Sequence, residues 1–178
     1  EASGDPKPFL MEFEGRTASD AMRQNLKLEK TVFGSHTRTR FFTERLAYDG
    51  MNDINEFFFR ELFVDQRPYM LVIKNDDPLL IYQAETGLSN KLGDYISSLA
   101  ETKDEASTRT AFISTHQFAM DFYTEGKQPV MGVVKVEEHQ IEFDEEEAEQ
   151  EMDEDLPKKY IMNLEGLAVF KEERLIGY

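Results

Sequence analysis

The spacing of apolar side chains divides this chain into strands and helices almost from its first residues. Pro8–Glu14 sets Phe9, Met11 and Phe13 against Leu10, Glu12 and Glu14, an alternation of period two that predicts a strand, and Gly15-Arg16 ends it. Thr17 or Ser19 then caps a helix running to about Leu28. Ala18, Ala21, Met22 and Leu26 recur at helical spacing, and the alanines allow close packing on a sheet. Val32–His36 turns the chain into a second strand, Thr37–Thr43. A strand–helix–strand unit of this kind favours a parallel pair with a right-handed crossover.

Glu44–Tyr48 reads as one or two helical turns closed by Asp49-Gly50, and Asn52 or Asp53 caps a helix through Phe63. Ile54, Phe57, Phe58 and Leu62 make the core stripe of that helix. Phe59 and Phe63 fall on another side, so the helix is sandwiched or faces a partner. Tyr69–Lys74 is an apolar strand placed centrally, and Asp77 with Pro78 starts a short helix to about Glu85. Leu88, Leu92, Tyr95, Ile96 and Leu99 form a single stripe on the next helix, with a polar loop from Lys103 to Arg109 after it. Ser114 and Gln117 make a capping box for a helix that turns Phe118, Ala119 and Phe122 inward and ends near Gly126. Val130–Val136 returns as a strand.

Tyr160–Phe170 and Leu175–Tyr178 flank the polar group Lys171–Arg174, which predicts a hairpin. Leu167-Ala168-Val169-Phe170 is apolar without alternation, so this strand is expected to be covered on both faces. Leu167, Val169 and Phe170 are then expected beside Leu71 and Ile73 in the central sheet. The chain reaches Tyr178 inside a strand, which reads as a piece of a longer protein. Together these elements predict an α+β fold: a mixed central β-sheet packed with several helices, a βαβ unit near the N-terminus and a C-terminal hairpin. At 178 residues the chain is expected to be one domain, 1–178, with a core of useful size.

Charge changes this picture at one place. The chain holds 36 acidic and 20 basic residues, a formal charge of −16. Such a surface repels phosphate backbones and anionic headgroups, which argues against nucleic acid as a partner. Twelve of the carboxylates lie between Glu137 and Asp155, a stretch with no Lys or Arg; without them the charge would be −4. Like charges at this density repel one another and favour a solvated loop, so 137–158 is read as an acidic loop inserted before the last hairpin. Fourteen Phe and seven Tyr make the rest a folding composition. Cysteine is absent, which removes disulfides and thiolate zinc sites. No apolar run approaches the ~18 residues of a membrane span, and no charged-then-apolar leader is present.

Candidate chemistry is sparse. There is no phosphate-binding glycine loop, no His-Glu-x-x-His and no Gly-x-Ser-x-Gly turn. His36, His116 and His139 stand apart, with no second histidine at ligand spacing. Ser114 beside His116 could be written as nucleophile and base, but the capping role already accounts for Ser114. His36, between Ser35 and Thr37, reads as a structural hydrogen-bonding residue. The acidic run has neither the spacing nor the glycine of an EF-hand loop. No cofactor, no metal and no catalytic residue is expected. The residues singled out are Phe59 and Phe63, as candidates for facing a partner.

Several short motifs resemble one family. Gly15-Arg16-Thr17 is similar to its Gly-Arg-Thr helix start, and Gly34, His36 and Arg38 resemble its Gly-His-Leu-Arg strand opening with one residue inserted. Glu44-Arg45-Leu46-Ala47 matches a Glu-x-Leu-Ala helix, and Asp65 with Arg67 resembles a shortened Asp-x-x-Arg turn. Gly166-Leu167-Ala168-Val169-Phe170-Lys171 is the most specific of the matches. The family is that of the GerAC-type C subunits of spore germinant receptors, and the chain resembles their N-terminal domain. The resemblance implies the first domain of a three-domain spore germination lipoprotein of Gram-positive type, lipid-anchored at the outer face of the spore inner membrane. It also implies membrane-embedded receptor A and B subunits as partners. The family's lipid-bearing Cys and its opening Trp-Asp strand are not among these residues, nor are its second and third domains, so any anchor lies outside this sequence. Two functions follow. One is a non-enzymatic interaction subunit that helps trigger germination through contacts with the membrane subunits, for which a flat apolar patch would speak. The other is a small-molecule or cation-sensing binding domain, for which a compact pocket with convergent polar groups would speak.

Overall fold

The computed structural model of the chain describes residues 10–25, 37–60, 65–86, 91–102, 110–139 and 159–178. Six strands form one mixed sheet among them. These are β1 (Thr39–Thr43), β2 (Tyr69–Ile73), β3 (Ile113–Ser114), β4 (Val130–His139), β5 (Lys159–Lys171) and β6 (Arg174–Gly177). Their order is β1-β2-β4-β5-β6, with the two residues of β3 pairing antiparallel to the start of β2. β1 and β4 both run parallel to β2; β5 and β6 are antiparallel additions. The helices are α1 (Ala18–Asn25), α2 (Glu44–Asp49), α3 (Asn52–Arg60), α4 (Leu92–Glu101) and α5 (Thr115–Tyr123), with a 3₁₀ turn at Pro78–Tyr82. The content is α+β.

Burial follows from which strands have neighbours on both sides. Met70, Leu71, Val72 and Ile73 of β2 are all buried, as an uninterrupted apolar run in a central strand requires. Phe42, Met70, Val72, Met131, Val133, Ala168, Phe170 and Leu175 make one face of the sheet, covered by Ala47 of α2, Met51, and Phe118 of α5. Ile54 and Phe58 of α3 pack against the same cluster. Leu71, Ile73, Val134, Val136 and Met162 make the other face, under Ile81 of the 3₁₀ turn and Ile96 of α4, with Leu92, Tyr95 and Leu99 alongside. The stripe read on the fourth helix is therefore its core face, from Leu92 onward; Leu88 lies outside the described residues.

Three helical segments start at side-chain caps, whereas α4 starts after Lys91 without one. Thr43 accepts from the Leu46 amide at 3.2 Å, Asp77 from Leu79 at 2.9 Å, and Ser114 from Gln117 at 3.1 Å, which satisfies amides that have no partner within the helix. Asp77 opens a 3₁₀ turn that stops at Tyr82, short of the helix to Glu85 that the sequence predicts.

Four expectations need correction. Leu10–Glu14 forms no strand, and β1 takes β2 as its parallel partner, so the strand–helix–strand unit of the N-terminal half is β1-α2-α3-β2. The alternation at Phe9–Phe13 has no ladder to join, and Leu10 is left exposed. Leu167 and Val169 are only half-buried, whereas Ala168 and Phe170 are fully buried, so the 167–170 part of β5 has one fully covered face, and Met162, before the bulge, is buried on the other. β5 is also separated from β2 by β4, and Phe170 points to the face opposite Leu71 and Ile73. Finally, Glu137, Glu138 and His139 continue β4, opposite Ile161, Tyr160 and Lys159, so the acidic stretch begins as strand. Its remainder, 140–158, lies outside the described residues, as do Leu62, Phe63, Gly34 and His36.

Candidate functional site

Three consecutive phenylalanines on one helix cannot share a face, since successive residues turn by about 100°. On α3 they spread accordingly. Phe58 turns to the core, edge-on to Phe42 with ring centroids 6.2 Å apart. Phe57 is tilted against Phe58 at 5.4 Å. Phe59, half-buried, leaves the core stripe and meets Tyr123 of α5 edge-on at 5.5 Å.

The neighbouring helix is anchored by Phe118, which is fully buried edge-on to Phe170 at 5.5 Å and stacked on Phe122. With Phe118 inward, Met120 and Tyr123 are carried outward and are 53% and 68% exposed. Phe59, Met120 and Tyr123 therefore bring apolar area to the surface across α3 and α5. Two ion pairs lie at these helices: Arg60 with Glu56 at 2.5 Å within α3, and Lys127, just past the end of α5, with Asp121 at 2.9 Å. Gln117 and Lys127 both donate to the Asp121 carboxylate, and those bonds hold its pKa below the usual carboxylate value.

Behind this face lies a half-buried cation. The Arg40 guanidinium stands over the Phe58 ring, 4.3 Å from its centre, and donates to the Thr115 hydroxyl and, at 2.5 Å, to the Asp65 carbonyl. Burial lowers its pKa to about 10, so it remains a cation at neutral pH. Thr115 passes the connection on, its hydroxyl donating to the Pro68 carbonyl at 3.1 Å. The amides of Thr115 and His116 also donate, to the carbonyls of Pro68 and Gln66. The first turn of α5 is thus bound to the 65–68 turn. Within that turn, Arg67 clasps the Asp65 carboxylate through Nε and Nη2 at 2.8 to 3.1 Å; these hydrogen bonds hold Asp65 at a pKa of about 2. The Asp65 and Arg67 motif is a structural clasp.

The other singled-out residues are scattered. Ser114 is engaged as a cap, and His116 and His139 are exposed at opposite ends of different elements. Among the described residues no group of three or more His, Asp or Glu could hold a metal ion. Tyr178, beyond the edge strand β6, donates to Glu44 at 2.6 Å and lies under the Lys74 ammonium at 4.4 Å. Burial first, and then the Glu44 hydrogen bond, raises its phenol pKa. Phe59 was legible as off-stripe. Met120 and Tyr123 are the positions left over once Phe118, Ala119 and Phe122 are assigned inward, so their exposure also had a signal. Arg40 had none, because its partners come from residues far along the chain.

The described residues thus form a mixed α+β domain with aromatic side chains at the surface of α3 and α5. The family model for the spore germination protein N-terminal domain matches residues 1–136. The chain belongs to this family, and it is the N-terminal domain of a GerAC-type germinant receptor C subunit. Its role lies in spore germination, within a germinant receptor complex associated with the spore membrane. The match ends within β4, so the Gly-Leu-Ala-Val-Phe-Lys motif of β5 lies beyond it. A search of curated proteins and one of solved structures both give no match. No described helix is long and apolar enough to cross a membrane.

Proposed function

We propose that this domain is a non-enzymatic interaction module, one that helps trigger germination by contacting the membrane-embedded A and B subunits of the receptor. The observation that carries this reading is the pair Phe59–Tyr123, aromatic area turned away from the core on a face with two ion pairs at its helices. Burying such a face against another protein gains apolar contact. Phe63, four residues after Phe59 in the sequence, is proposed as a second partner-facing residue from the sequence pattern alone. Residues 1–178 then act as the first of three domains, with the acidic stretch after His139 as an insertion before β5, and a lipid anchor outside this sequence holds the whole at the outer face of the spore inner membrane. One sheet running from Thr39 to Gly177 supports treating the chain as one unit. Co-purification with the membrane subunits tests the reading. Phe59→Ser is expected to leave the domain folded and to weaken assembly; assembly at wild-type strength would rule the face out.

A further inference from the structure

Along β1, Arg40 and Phe42 are two residues apart and so lie on one side of the sheet, the side that α3 and α5 cover. Phe42 fills the core there. Arg40, half-buried, has to satisfy its N–H groups where water is scarce, and it does so on three separate segments. Its guanidinium stands 4.3 Å from the centre of the Phe58 ring of α3, and its two terminal nitrogens donate to the Thr115 hydroxyl of α5 and, at 2.5 Å, to the Asp65 carbonyl. A planar guanidinium can meet a ring and donate in a fork at once; the compact ammonium of a lysine cannot span two acceptors in this way. Thr115 is fully buried, and with its own proton given to the Pro68 carbonyl at 3.1 Å its oxygen is left to accept from Arg40.

This point of attachment is close to the aromatic pair along both helices. Phe59 follows Phe58 directly, and Tyr123, which the Phe59 ring meets edge-on at 5.5 Å, lies about two turns along α5 from Thr115. The core holds each helix down, through Phe58 on Phe42 and Phe118 on Phe170. Apolar contact has no preferred direction, however, and does little against a helix rolling or sliding on its sheet. Hydrogen bonds and cation–ring contacts do have a preferred geometry. Arg40 applies both from one side chain, to α3 through a ring and to α5 through its first turn.

We propose that Arg40 is a positioning residue for the docking face: by holding Phe58 and Thr115 at one point it sets α3 against α5 so that Phe59 and Tyr123 meet and are presented together to the membrane-embedded subunits. The proposal rests on the interaction reading, and its test separates the two. Co-purification of the intact C subunit with the A and B subunits, over a range of C-subunit concentrations, gives an apparent affinity for wild type, Arg40→Met, Phe59→Ser and the double variant. Methionine keeps an unbranched apolar side chain beside Phe58 and removes the donors. Each single substitution is expected to weaken assembly about tenfold, the scale of a lost hydrogen bond to a charged group. The double variant is expected to be no weaker than the weaker single, because both act through one contact. Arg40→Lys, which keeps a cation beside Phe58 and serves one acceptor, is expected to fall between wild type and Arg40→Met. In aromatic nuclear Overhauser spectra of the 178-residue chain, Arg40→Met is expected to lose the Phe59–Tyr123 cross-peak and to keep the Phe118–Phe170 one, whereas general loosening would remove both. If Arg40→Met does not fold, Thr115→Val, which removes the hydroxyl that Arg40 holds, takes its place in the same cycle with the same expectation. Losses that add in the double variant would overturn the proposal, as would a Phe59–Tyr123 cross-peak that persists without the Arg40 fork. Wild-type assembly by Arg40→Met beside weakened assembly by Phe59→Ser would overturn this proposal alone; wild-type assembly by Phe59→Ser would overturn the interaction reading and this proposal with it.

Discussion

The Thr110 hydroxyl donates to the Gly166 carbonyl at 2.9 Å and accepts from the Val133 amide at 3.3 Å, where the ladder between β4 and β5 slips register. Glu165 and Gly166 there stand against the single residue Val133, and Gly166 takes φ +66°, a conformation that favours glycine. Close by, a Cβ on Gly132 would meet the Ala111 carbonyl at 2.5 Å, so the segment bearing Thr110 lies directly on β4. Thr110→Val keeps the shape and leaves two backbone groups unpaired, so it is expected to cost about 1–3 kcal/mol in urea unfolding. An unchanged midpoint would show that water replaces the hydroxyl. Asn55 presents the opposite case. It is fully buried on α3, yet neither its side-chain oxygen nor its nitrogen has a hydrogen-bond partner. Asn55→Leu is expected to stabilise the domain by about 1 kcal/mol, and a loss of stability would point instead to a bound internal water. The Asp65 clasp gives a pH signature. Its folded pKa of about 2 is below the ordinary 3.8, so its contribution is present above the ordinary value and is lost as pH falls toward 2. Arg67 is 86% exposed, and water screening keeps the contribution small. The stability gap between wild type and Asp65→Asn is expected to hold from neutral pH to about 4 and to shrink below it. A gap that widens on acidification would contradict this.

Helix starts were readable because they depend on local chemistry: Asp77 with Pro78 and Ser114 with Gln117 carry their own capping partners within three residues. β2 was readable because Tyr69–Ile73 has no polar interruption. The β5–β6 hairpin was readable from its local polar turn, but pairing between distant strands was not, since it depends on residues far apart in sequence. The alternation at Phe9–Phe13 resembles a strand, but nothing in the sequence reveals that β1 pairs with β2 instead. The same limit hid the two-residue β3, and it hid which side of β5 is covered. In the candidate face, the three phenylalanines of α3 declared their divergence through helix geometry alone. The meeting of Phe59 with Tyr123, and the Arg40 cation behind Phe58, required the fold. The β5 correction can be measured. Phe170→Ala is expected to cost about 3–5 kcal/mol, because it empties a fully buried site beside Phe118. Val169→Ala, at a half-buried position, is expected to cost about 1 kcal/mol or less. Equal costs would mean that both sides of β5 are covered.

On the scale of the whole molecule, helices cover both faces of one sheet, and the apolar area that remains outside is unevenly placed. Met120 and Tyr123 lie on α5 with Phe59 beside them, while Leu79 and Tyr82 lie on the 3₁₀ turn over the other face of the sheet. Most of the −16 charge comes from residues 137–155 of the sequence, of which Glu137 and Glu138 stand exposed at the end of β4. Contact through the α3–α5 face would bring an apolar surface with nearby ion pairs to the receptor. A photoreactive side chain placed at position 123 of the intact C subunit, with position 82 as the comparison, measures this in the assembled receptor. Cross-links to a membrane-embedded subunit are expected from 123 and not from 82. Cross-links from 82 alone, or from neither position while the receptor remains assembled, would contradict the proposed docking through Phe59 and Tyr123.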